Sequence, residues 1–153
     1  MKRFLTLMLI LFAVLAACGG DEGFREGREL RQMSRALGLD LSAGTLARYE
    51  DSHGGFHGDG LTTAEVEIGG LAGQLSDVPG WRPLPLSENG AEALELVGGA
   101  EGVEEGFYYF YDRHSQSQDP FDDSELHQLY SWNFTLAVYD SKNERLYYYE
   151  FDT

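Results

Sequence analysis

The chain has 153 residues, a single cysteine, and 26 Asp and Glu against 11 Lys and Arg, for a formal net charge of −15. That length suits one domain with a modest core, and one cysteine excludes an internal disulfide and a cysteine-type structural zinc site. The acidic balance argues against nucleic acid as a partner, because phosphate contacts need clustered Lys and Arg, and against flat contact with anionic lipid.

Lys2 and Arg3 precede an apolar stretch from Phe4 to Val14, and small residues then lead to Cys18 in Leu15-Ala16-Ala17-Cys18. That order reads as a secretory signal, and the four residues resemble the lipobox of bacterial lipoproteins. The resemblance implies removal of residues 1–17, acylation of the Cys18 thiol by a fatty acid such as palmitate, and anchoring at the extracytoplasmic face of the cell membrane. A transmembrane anchor is the rival reading, but the run from Phe4 to Ala17 is shorter than the roughly 20 residues that span a bilayer. A plain signal peptide with an incidental cysteine is a third. The expected division is a signal at 1–17, the lipidated cysteine and a short tether at 18–21, and a single α+β domain at 22–153. Loss of Lys2 and Arg3 with the signal takes the net charge to −17 over 136 residues.

From about Glu22 to Leu37 the pattern turns helical, with Leu30, Met33 and Leu37 on one face and Gly38 as a stop. Arg25, Arg28, Arg31 and Arg35 occupy another face. They read as a solvated surface balanced by Glu22, Glu26 and Glu29, or as cations near the anchor that touch headgroups. Thr45–Ser52 and Leu61–Ile68 read as two strands joined by a glycine-rich loop. A short helical turn at Gly69–Leu75 precedes a proline-stiffened connector, Pro79–Leu86. Ser87 is the expected N-cap of a helix from Glu88 to about Val97, stopped by Gly98-Gly99.

The last third holds fourteen of the twenty aromatic residues, and this enrichment favours strands at Gly106–Arg113, Tyr130–Tyr139 and Arg145–Asp152. In the middle run Trp132, Phe134, Leu136 and Val138 alternate with Asn133, Thr135, Ala137 and Tyr139. Asp140–Glu144 is a polar hairpin turn. His114–Asp123 reads as an acidic loop, with a short helix near Asp123–Leu129. The expected architecture is an α+β fold with about five antiparallel strands and two or three helices. The helices near 22–37 and 88–97 are expected to pack on one face of the sheet.

The loop at 51–60 is the main candidate site. His53, His57 and Asp59 carry donors suited to zinc or another divalent ion, and the glycines let the backbone curl. The His-x-x-x-His spacing has its metal meaning on a helix, which glycines disfavour. A tight glycine turn, or another ligand contact, is therefore the competing reading. Tyr108, Tyr147 and Tyr149 are candidates for glycan contact by exposed rings, or else for cross-strand packing. No nucleophile elbow occurs, and the Asp119–Glu125 loop lacks EF-hand ligand order.

The run Asp51–Gly60, the Trp81–Pro85 connector, and the ending Ala137–Asp140, Leu146–Glu150 and Asp152-Thr153 resemble a group of small uncharacterised bacterial proteins, many of them predicted lipoproteins. The resemblance implies a shared fold and brings no activity and no catalytic residue. The expected function is a non-enzymatic domain at the cell envelope that binds a protein or a small ligand. The alternatives are a metal-binding protein or metal-dependent hydrolase at 51–60, and glycan binding.

Overall fold

The computed structural model describes residues 23–54, 58–114, 116–128 and 131–153. One open antiparallel sheet contains β1 (Thr45–Asp51), β2 (Gly60–Glu67), β3 (Trp81–Pro83), β4 (Gly106–Asp112), β5 (Phe134–Asp140) and β6 (Arg145–Asp152), in the spatial order β1-β2-β6-β5-β4-β3. Among the described residues three helices accompany it: α1 (23–37), α2 (Ala72–Leu75) and α3 (Glu88–Leu96), with a 3-10 helix at Asp123–Gln128.

The expected α+β class with an antiparallel sheet is what the chain adopts. The sixth strand is β3, which lies in the stretch read as a connector. Trp81, Arg82 and Pro83 pair with Tyr109, Tyr108 and Phe107. A proline fits there because β3 is the outermost strand and its free side needs no donor.

The expectation that the helices share one face is overturned. Leu30, Met33 and Leu37 of α1 and Leu75 of α2 pack with Val66, Tyr109, Ala137, Tyr139, Leu146 and Tyr148. Ala93 of α3, with Val97 at its C-cap, packs with Phe110, Phe134, Leu136 and Tyr149. These are alternate residues of the same strands, hence opposite faces. The reason lies in β5, which is buried at all seven positions. A strand flanked on both sides and apolar on both faces needs cover above and below.

Side chains from the sheet also finish the helices. Trp81 Nε1 donates to Leu37 O at 3.2 Å and Tyr109 Oη to Ala36 O at 3.0 Å, which satisfies carbonyls that the last turn of α1 leaves open. Ser87 caps α3, its Oγ accepting from Gly90 N at 2.9 Å.

Candidate functional site

The loop after β1 is built around His53. Its Nδ1 lies 2.7 Å from Asp51 Oδ1 and its Nε2 lies 3.1 Å from Asp152 Oδ2. The β2–β6 register sets this up by placing Gly60 opposite Asp152. Gly60 is needed for close approach: a Cβ there would fall 2.7 Å from the His53 Cα and 2.8 Å from its N. The His53 backbone N–H, followed by its ring, holds the Asp51 carboxyl below its ordinary value.

Asp152 extends the cluster. Arg113 reaches Asp152 at 3.0 Å and Glu150 at 2.8 Å, and Tyr148 Oη donates to Glu150 Oε2 at 2.8 Å. Arg113 also donates to the carbonyls of Phe134 and Phe151. Burial, then the Glu150 charge, pushes the Tyr148 phenol up. The result is an alternating chain, Asp51–His53–Asp152–Arg113–Glu150–Tyr148. It ties the end of β1 to the C-terminal strand and to the segment after β4. Both ring nitrogens of His53 lie within hydrogen-bond distance of a carboxylate oxygen. Such a ring is already bonded on both sides, so the cluster suits a clamp better than a base awaiting substrate.

Of the predicted metal set, His53 and Asp59 are the described members. Asp59 is exposed and forms no ion pair or hydrogen bond among the described residues, and His57 lies outside them, as does Cys18. No group of three His, Cys, Asp or Glu placed to hold a metal ion occurs among the described residues. Ser52 is no nucleophile for His53, because its Oγ donates to Leu61 O and accepts from Leu61 N across the hairpin.

Of the three tyrosines considered for ligand contact, Tyr108 and Tyr149 are 4% and 5% exposed, and only Tyr147 is half-buried. Tyr149 Oη accepts from Ala100 N at 2.8 Å, and burial pushes its phenol up to about 12. The two side chains nevertheless frame an open cleft of about 400 Å³, lined also by Arg48, Glu50, Thr63 and Glu65. It forms because α3 stops at Val97, and Gly98 to Ala100 stand over a half of the sheet that no helix among the described residues covers. Beside Leu61 and Tyr147 the open half carries ion pairs: Arg48–Glu50 at 2.8 Å, Arg145–Glu67 at 2.7 Å and Arg145–Glu65 at 3.3 Å.

Asp152, Arg113, Glu150 and Tyr148 escaped the sequence reading. Asp152 lies 99 positions from His53, and nothing local marks that pairing. No family model matches the chain, and neither a curated protein nor a solved structure is significantly similar to it. Among the described residues no helix is long and apolar enough to cross a membrane.

Proposed function

We propose that the chain is a lipid-anchored binding domain of the extracytoplasmic membrane face, without catalytic chemistry of its own, and that the cleft beside Tyr147 is its ligand site. The observation that carries the reading is that cleft. Its volume of about 400 Å³ falls in the range of small-molecule sites, and its walls pair one partly exposed aromatic ring with several hydrogen-bonding side chains. A small polar ligand of the oligosaccharide type suits such walls. It can stack a sugar face on Tyr147 and exchange hydroxyl hydrogen bonds with Glu50, Thr63, Glu65 and Arg48. Attachment through Cys18 rests on the lipobox-like residues alone.

Two measurements test the reading. Cys18→Ala is expected to abolish labelling by a fatty-acid analogue and to release the protein from membranes; a variant that still fractionates with membranes removes the anchor. Thermal-shift screening against an oligosaccharide panel is expected to find a stabilising ligand whose effect disappears in Thr63→Trp, which fills the cleft. A ligand that stabilises both proteins equally binds elsewhere.

A further inference from the structure

The helix nearest the proposed anchor has sorted its charges. As a sequence, residues 22–37 carry four arginines, Arg25, Arg28, Arg31 and Arg35, against three glutamates, Glu22, Glu26 and Glu29. In the fold two of those glutamates are spent inward. Glu26 Oε1 accepts the Leu46 backbone N–H at 2.9 Å. Glu29 is only 5% exposed and takes Arg28 at 2.7 Å. Arg48, Arg82, Arg113 and Arg145 each pair with a carboxylate elsewhere. Arg25, Arg31 and Arg35 are exposed and form no ion pair among the described residues.

The outward stripe also has a pattern. Phe24, Arg28, Arg31 and Arg35 follow one another at spacings of four, three and four, so they share one face of α1. At about 100° per residue, that face lies opposite Leu30, Met33 and Leu37, which are buried against the sheet. Phe24 is 69% exposed and stands at the end nearest Cys18. Gly19–Glu22 separate Cys18 from Gly23, and five Cα–Cα steps reach at most about 18 Å.

We propose that this face of α1 docks on the anionic headgroups of the bilayer that holds the Cys18 lipid, so that the domain lies with α1 against the membrane and the Tyr147 cleft on the opposite sheet face turned away from it. The inference rests on anchoring through Cys18. The net charge of −17 does not prevent it, because charges beyond the Debye length of about 8 Å are largely screened and the nearest helix decides the local field. One acyl chain with nearby cations is a familiar two-signal arrangement. Each arginine contributes roughly a fivefold gain in occupancy of the docked state.

The test uses the full lipidated chain, carrying a fluorophore at Gln32→Cys beside the stripe. It is incorporated in vesicles of phosphatidylcholine alone or mixed with phosphatidylglycerol, with a quencher on the lipid headgroups. Quenching is expected to be stronger in the anionic vesicles and to fall at high salt. The double variant Arg31→Gln, Arg35→Gln, whose replacements keep helix propensity, is expected to lose about twenty-five-fold in the docked-to-free ratio. Flotation with both vesicle types but equal quenching in both overturns docking and leaves the anchor standing. Quenching in the anionic vesicles that resists high salt also overturns it. Failure to float with either vesicle removes the anchor and the docking together.

Discussion

The two faces of the sheet are covered to different extents. Under α1 the cover is continuous: Val66, Leu146, Tyr139 and Tyr148 meet Met33 and Leu37, and the hydroxyls of Tyr109 and Tyr139 donate to backbone carbonyls. On the other face α3 covers only the β4–β5 half, and the β1–β2–β6 half carries Arg–Glu pairs above a cleft. Polar groups under a helix are tied to backbone partners because burial without one is costly. Polar groups on the open half remain available to something else.

Alkaline titration tests the covered side most severely. Burial pushes Tyr49 and Tyr109 up to about 12 from 10.0, and raises Tyr148 as well. The unfolded chain therefore releases these protons first. Their contribution is intact below pH 10 and is lost as the pH rises from there through about 12. Urea midpoints measured across that window are expected to fall steeply; a flat profile means the rings are more open than described. Next in size is Met33→Ala, expected to cost about 2–5 kcal/mol. Thr63→Ala in the open half is expected to stay within about 0.5 kcal/mol, so equal losses in the two variants would erase the contrast between faces.

Gly60→Ala is expected to cost about 1–3 kcal/mol by forcing the His53 backbone aside, whereas Gly54→Ala, with open space around its Cβ, is nearly neutral. Comparable denaturation curves for the two would mean that the clamp yields freely. Ser87→Ala removes the cap of α3 for about 1 kcal/mol, with the added loss of the hydrogen bond its Oγ donates to Asp123. The smallest effect is expected from Arg145→Ala on the exposed ladder, about 0–1 kcal/mol and diminishing with salt.

Features made by neighbours in sequence were readable. The Asp140–Glu144 turn follows from an aspartate that accepts from Lys142 N and Asn143 N at 2.9 and 3.0 Å, and Ser87 caps the residues just beyond it. The edge strand β3 was not readable, because three residues ending in Pro83 look like a connector until a partner strand lies beside them. The His53 clamp failed for a different reason. Its second carboxylate belongs to the far end of the chain, and periodicity carries no information about which strand returns next to which.

The residue order by itself determined the positions of the helices and of every strand but β3, the caps, the hairpins and the lipobox-like start, since each depends on contacts within a few residues. Tertiary structure alone decided that α1 and α3 take opposite faces, that Asp152 meets His53, and that Glu26 and Glu29 turn inward while the arginines of α1 face out. Those outcomes depend on β5 needing cover on both sides and on the register that inserts β6 between β2 and β5, and such long-range pairings leave no periodic trace in the sequence.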